Sequence, residues 1–435
     1  MKSKKSFFEA LLTASTVMAS VFLAASAYAV PLAYIANNGD DTVTVINTKT
    51  QAIEGQPIAV GDAPDGIVVS PDGTKVYVSS ALTNEISVID TVSAATLDPI
   101  DIGVGSIDLA ITPDGSKLYI ARSGFGGFRI LKLADNTVSS LNGLTISTNS
   151  VAVSPDGSLA YLTGVLDDVN NNIAAVDVTT DSLIDEFGIG ASAGGIAFSP
   201  TESKAYVTQP FDGKLSIVNT SNNNVTGPID MVGNGPSNVA FSLDGSKAYV
   251  TVFSGDNVAV IDAATNTFLK SIPVGQSPLD IAITPDGSKL YVSNSASNNI
   301  SIIDIDTETV DTVDVGTSPN GITFANVIRC GDGIQEGSEQ CDDGNTDNGD
   351  NCSSLCKLES EPVVCGDGKV EGTEECDDGN GFNDDECSNA CTVVKVKAGG
   401  DGCSLSPLAS VSALSFLPLA MAPLVVALRR FMKKA

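Results

Sequence analysis

Val69-Ser-Pro-Asp-Gly-Thr-Lys-Val-Tyr-Val-Ser79 is the phrase on which the reading of this 435-residue sequence turns. Pro71 presets one turn dihedral, Asp72 can bond back to its own backbone, and Gly73 can take a positive φ. The phrase is therefore a tight turn between two antiparallel strands. It returns as Ile111-Thr-Pro-Asp-Gly-Ser-Lys-Leu-Tyr-Ile-Ala121, and in related forms from Val153, Phe198, Phe241 and Ile283. Its tyrosine keeps the period: Tyr34, Tyr77, Tyr119, Tyr161, Tyr206, Tyr249 and Tyr291, at spacings of 43, 42, 42, 45, 43 and 42.

Each period holds four short β-rich runs. The third reads Val43-Thr-Val-Ile-Asn47, Ile86-Ser-Val-Ile-Asp90, Ile173-Ala-Ala-Val-Asp177, Val258-Ala-Val-Ile-Asp262 and Ile300-Ser-Ile-Ile-Asp304. The fourth ends in Val60-Gly61, Ile102-Gly103 or Val274-Gly275. Four strands per repeat of this length is the pattern of a propeller blade, and seven tyrosines predict seven blades. The chain enters on a second strand at 32–37 and leaves on a first strand, Gly321-Ile-Thr-Phe-Ala-Asn326. Together these complete one blade and leave no open sheet edge. Blade three is the least regular, with Arg129-Ile-Leu-Lys-Leu133 where other blades end in Val-Ile-Asp.

Tyr34-Ile-Ala-Asn37, Tyr206-Val-Thr208 and Tyr291-Val-Ser-Asn294 resemble YVTN-family propeller repeats, over about residues 31–326. The resemblance implies an all-β, seven-bladed propeller, assigned here to 30–328. It implies little about function, because propellers host binding, scaffolding and catalysis alike.

Composition narrows the chemistry. There is no His and no Trp, which excludes a His-based triad, an imidazole zinc site and a His-ligated haem. The formal net charge of −30 repels nucleic acid and anionic lipid and favours cations or basic partners. The same charge also serves plain solubility.

Both ends read as addresses. Lys2, Lys4 and Lys5 precede an apolar stretch and Ala27-Tyr28-Ala29, so 1–29 is expected to be a signal peptide. A linker at 395–404 carries Gly399-Gly400-Asp401-Gly402-Cys403. An uncharged segment at 405–428 is long enough to span a bilayer, and the tail 429–435 holds Arg429, Arg430, Lys433 and Lys434. The arrangement resembles bacterial tripartite sorting tails of the Cys-containing, myxobacterial type. It implies processing near Cys403 by a sorting protease or transpeptidase, transient membrane insertion, and delivery through the inner membrane to the cell surface or outer envelope. A tail that stays as a simple anchor is the other reading.

Between propeller and tail lie two units, 329–360 and 361–394. Cys330, Cys341, Cys352 and Cys356 map onto Cys365, Cys376, Cys387 and Cys391 with an offset of 35. In an exported chain such paired cysteines form disulfides that replace a core too small to hold the fold. Four cysteines allow three pairings, and spacing alone does not choose among them. The units resemble myxobacterial-type cysteine-rich repeats of secreted and surface proteins. Residues 330–391 hold 18 acidic residues against 2 lysines. Asp342, Asp343, Asn345, Asp347 and Asp350, with Asp377, Asp378, Asn380, Asp384 and Asp385, offer hard oxygen ligands suited to Ca²⁺, although neither loop has the closing Glu of the helical Ca²⁺ loop. A solvated acidic loop is the competing reading, and no other cofactor is expected.

Two regions of the propeller are candidate ligand sites. The loops between second and third strands vary most, and Phe125, Phe128, Phe211 and Phe253 sit in them. At the channel mouth the innermost strands open with Gly66, Asp108, Ser150, Gly195, Asn238, Asp280 and Gly321. Asp108, Asn238 and Asp280 could share a cation there or could simply cap strands.

The function expected from sequence is a non-catalytic binding, adhesion or display module, with an unidentified protein or glycan partner at the propeller face. The alternatives are a lactonase-like or quinone-dependent propeller enzyme with a metal at the channel mouth, or a self-associating surface-layer component.

Overall fold

The Ser-Pro-Asp-Gly phrase folds as its chemistry requires. Asp72 Oδ1 accepts from Ser70 Oγ at 2.5 Å and from the Thr74 amide at 3.1 Å. The Gly73 amide closes the turn on Ser70 O at 2.8 Å, with Gly73 at φ 73°. Asp114, Asp156, Asp244 and Asp286 repeat the arrangement. Each turn joins the innermost strand of a blade to the second.

The computed structural model describes residues 30–122, 128–144, 146–165, 173–190, 192–231 and 235–327, together with 340–341, 352–353 and 357–358. The described strands form seven four-stranded antiparallel sheets. Six are built from consecutive strands. The first blade pairs Pro319–Asn326 with Pro31–Asn37, then Thr42–Asn47 and Ile58–Ala59, so the two ends of the domain close the ring as the sequence predicts.

Burial follows position in the blade. The second strand Lys75–Ser80 is buried at every residue after Lys75, because both its faces pack on neighbouring blades. The outermost strand Ala95–Asp101 is exposed almost throughout. The apolar residues separate into seven clusters, each between one blade and the next. The last joins Tyr291, Ile300 and Ile302 of blade seven to Ala33, Ile35, Ile322 and Phe324 of blade one. Near 25 cal/mol per Å² of apolar area, these cores supply the main stabilisation of the ring.

One sequence expectation is corrected here. Phe128 is not a recognition residue in a loop: it is 1% exposed and packs on Tyr119 at 5.7 Å between ring centroids. Blade three begins its third strand at Arg129, and Phe128 fills the core between blades three and four. Phe125 lies outside the described residues.

In the first cysteine-rich unit a disulfide joins Cys341 to Cys352, selecting one of the three pairings. The other six cysteines expected in disulfides, the Ca²⁺ candidates of both acidic loops, and Cys403 lie outside the described residues. So do the expected signal peptide, the linker, the hydrophobic helix at 405–428 and the basic tail. Among the described residues no helix is long and apolar enough to cross a membrane.

Candidate functional site

The innermost strands surround the axis, and their first residues meet at one end of it. All seven ring positions named from the sequence line one cavity of about 270 Å³. Asp108, Asn238 and Asp280 are therefore brought together. They are not free ligands, however.

Asp108 Oδ2 accepts from Ser150 Oγ at 2.6 Å and from the Val151 amide at 2.9 Å, both on the next blade. Its Oδ1 accepts from the Leu109 amide at 2.8 Å. Asp280 Oδ2 accepts from the Ile322 amide of the next blade at 2.8 Å. Its Oδ1 takes the Ile281 amide at 2.8 Å and Asn238 Nδ2 at 2.5 Å. Each side chain thus ties its own strand to its neighbour. Where the ring position is glycine the backbones close up instead. A Cβ on Gly195 would stand 2.6 Å from Asn238 Oδ1, and one on Gly66 would stand 2.7 Å from Asp108 Cα.

Asp65 was missed from sequence, as were Asn149 and Asn320, and all three line the same cavity. Each precedes a named ring residue by one position. Strict strand alternation would turn it away from the cavity, but the innermost strands are bulged there. Pairing registers shift between Pro64 and Ile67, between Thr148 and Ser150, and across 319–322. A bulge sets two residues against one, so consecutive side chains can line the mouth. A turn-proline or polar residue opening the strand (Pro64-Asp65-Gly66, Pro319-Asn320-Gly321) is the signal that could have found them.

Asp65 accepts a hydrogen bond from Asn320 Nδ2 across the ring closure. Burial pushes its carboxyl up to about 7, with the nearby charges of Asp108 and Asp280 adding to the effect and the Asn320 bond opposing it. Burial also raises Asp108, to about 6, against the donors from Ser150, Val151 and Leu109. Asp280 is raised by burial against the Ile322 and Ile281 amides and Asn238. Among the described residues no lysine or arginine lines the cavity.

The loops between second and third strands open on the same side of the ring, since they share it with the connections entering the innermost strands. Phe211, at 85%, and Phe253, at 40%, are exposed there on adjacent blades five and six. Phe253 opens a short 3-10 turn, Phe253–Gly255. No group of three or more metal-ligating side chains occurs among the described residues.

These features place the chain among known folds. A family profile described as lactonase, 7-bladed beta-propeller, matches residues 189–322. A domain of unknown function, DUF4215, matches twice, over 325–357 and 363–392, once on each cysteine-rich unit. No curated protein matches the chain. Among solved structures, Kuenenia stuttgartiensis hydrazine synthase is 20% identical, with 63% of this chain and 92% of that one covered at a TM-score of 0.58. A Pseudomonas aeruginosa periplasmic gluconolactonase is 16% identical, covering 68% and 99% at 0.56. A putative 6-phosphogluconolactonase from Bacteroides uniformis is 18% identical, covering 68% and 100% at 0.56. At these identities the likeness shows the seven-bladed fold alone.

Proposed function

We propose that this chain is an exported, non-catalytic recognition propeller, displayed at the bacterial surface on its cysteine-rich units, and that it binds at the face where the channel mouth opens. One observation carries this reading. The two carboxylates that a metal or an acid–base pair would need, Asp108 and Asp280, have both oxygens engaged in inter-blade hydrogen bonds. With no His in the chain, the engagement of this pair leaves neither Asp108 nor Asp280 free to act as a base or a metal ligand at the mouth. A rigid closed ring that presents variable loops and a polar cavity suits recognition. The terminal addresses and disulfide-forming units fit export.

A second reading keeps hydrolysis of lactones, and two observations favour it. The lactonase profile covers the half of the ring from 189 to 322. Asp65, pushed up to about 7, has the proton affinity of a general base at neutral pH. The two readings separate in one assay. The full chain is incubated with glucono-1,5-lactone at a pH where spontaneous opening is slow, beside its Asp65→Asn variant. Recognition without catalysis predicts rates at the uncatalysed background for both. Turnover above background that falls at least 100-fold in Asp65→Asn would replace the proposal by the hydrolase.

A further inference from the structure

The channel mouth carries a more specific statement than recognition in general. It rests on the reading that this face binds rather than hydrolyses. Once the inter-blade bonds are assigned, the cavity keeps a small set of polar atoms. Asn320 gives Nδ2 to Asp65 Oδ1, which leaves Asn320 Oδ1 and Asp65 Oδ2. Asn149 gives Nδ2 to Ala193 O at 3.2 Å, which leaves Asn149 Oδ1. Ser237 adds a hydroxyl to the lining. The remaining set is rich in acceptors and, among the described residues, holds no cationic group.

Each feature selects among ligands. Three carboxylates, with no lysine or arginine among the described lining residues, repel phosphate and carboxylate groups. Asp108 and Asp280, with both oxygens engaged, are poor ligands for a metal ion. A volume of about 270 Å³ is too small for a peptide side chain with its backbone and near the lower end for small-molecule sites. Carboxylate and carboxamide oxygens beside a hydroxyl match the hydroxyls of a polyol, each of which donates one hydrogen bond and accepts others. The upward shift of Asp65 adds a proton to the site near neutrality, and with it a donor.

We infer that the mouth of the channel binds an uncharged, hydroxyl-rich molecule of monosaccharide size, held by Asp65, Asn149, Asn320 and Ser237. The exposed Phe211 and Phe253 stand on the same face and would extend contact to further residues of a longer glycan.

The test is calorimetric titration of the full chain at pH 6 with D-glucose, D-galactose and D-mannose, and with D-glucose 6-phosphate and D-glucosamine. At least one neutral hexose is expected to bind, with Kd on the order of 1 mM or tighter. The phosphorylated sugar is expected to bind at least tenfold more weakly than that hexose. Asp65→Ala and Asn149→Ala are each expected to weaken binding at least tenfold, while Asp114→Asn, in a turn at the other end of the blade, leaves it unchanged. Thermal melting confirms that each variant is folded, and Asn149→Ala carries the test if Asp65→Ala loses the fold. Three results would overturn the inference: no hexose binding, equal or tighter binding of the phosphate, or binding only of the cationic amino sugar. Undiminished hexose binding in both cavity variants would put the sugar elsewhere and also overturn it. Lactone turnover in the separate assay would instead remove the non-catalytic reading, so the two failures are distinct.

Discussion

Tyrosine marks every repeat, and in three of the seven its hydroxyl latches one blade to the next. Tyr119 donates to Asp181 Oδ1 at 2.7 Å, Tyr161 to Asn223 Oδ1 at 2.6 Å and Tyr206 to Asn266 Oδ1 at 2.5 Å. Each acceptor sits in the outer turn of the next blade, at φ 54°, 56° and 56°. A left-handed turn favours Asn or Asp, and the same side chain receives the buried phenol. Burial raises the pKa of all three phenols, so they remain donors. The seam between blades seven and one lacks this latch, as does that between blades six and seven, where the Tyr249 hydroxyl is buried without a partner among the described residues. The Tyr291 hydroxyl is buried without a hydrogen-bond partner among the described residues, and the equivalent turn residue of blade one is Gln51, at φ 57°. Gln51→Asn should relieve the backbone and offer an acceptor together. We expect about 1 kcal/mol of added stability, or a Tm rise of a few degrees. In Tyr291→Phe the same change should gain clearly less, and a double-mutant cycle by thermal melting measures the difference. The tyrosine period was legible because it recurs along the chain. Its partner was not, because it lies about 60 residues further on, in another blade, and no local pattern links the two.

At the scale of the element, the strand that matters most is Pro319–Asn326. It pairs along Pro31–Asn37 and closes the ring, and its Phe324 meets Tyr291 edge to face at 5.1 Å. Asp280 fixes the Ile322 amide, Asn320 reaches Asp65, and the Thr317 amide beside the strand donates to Asp40. Closure therefore depends on one strand anchored at both faces of its blade. Phe324→Ala should cost about 3–5 kcal/mol, as for a large aromatic removed from a core. Because the cavity also opens the seam, proteolysis should cut near this strand before other blades. A loss below 1 kcal/mol in denaturant unfolding, with an unchanged cleavage pattern, would show that closure rests on backbone pairing alone. The ends completing one blade could be read from the sequence, since a second strand without a first and a first without a second have one economical solution. The bulges at the innermost strands could not. A bulge is an extra residue in one strand relative to its partner, visible only once the register is known, and it is what lets Asp65, Asn149 and Asn320 line the cavity. Phe128 failed for a related reason: the third strand of blade three begins only at Arg129, yet the pairing register puts Phe128 at the position of the buried Ile86 of blade two, so a residue read as loop became core.

Across the whole molecule the aspartates divide into two populations with opposite effects on stability. Those in the Ser-Pro-Asp-Gly turns accept several hydrogen bonds, which lower Asp114 and Asp244 to about 2 and also lower Asp72, Asp156 and Asp286. A lowered pKa means that the folded state releases the proton more readily than the unfolded chain. The stability these groups contribute is present above about pH 4 and is lost as pH falls toward 2. Around the channel the shifts run the other way. Asp65, near 7, Asp108, near 6, and Asp280 hold protons more tightly when folded. Their contribution is complete below the unfolded value of 3.8 and is lost as pH rises through 6 to 7, where burial opposes the charge. Stability should therefore peak near about pH 4, where the turn carboxylates are already ionised and the channel carboxyls still protonated in the folded state, and fall from there toward neutrality. Repulsion at a net charge of −30 acts in the same direction above that pH, so a control must isolate the channel. Asp65→Asn keeps the shape and removes the titration. We expect Tm to be higher at pH 5 than at pH 8 in the native chain, and the difference to shrink in Asp65→Asn. An equal difference in both proteins would assign the slope to general charge repulsion and return Asp65 to the ordinary carboxylate range. A smaller difference would locate in the channel, the same place where the ligand is expected, the one part of this acidic ring that is more stable when protonated.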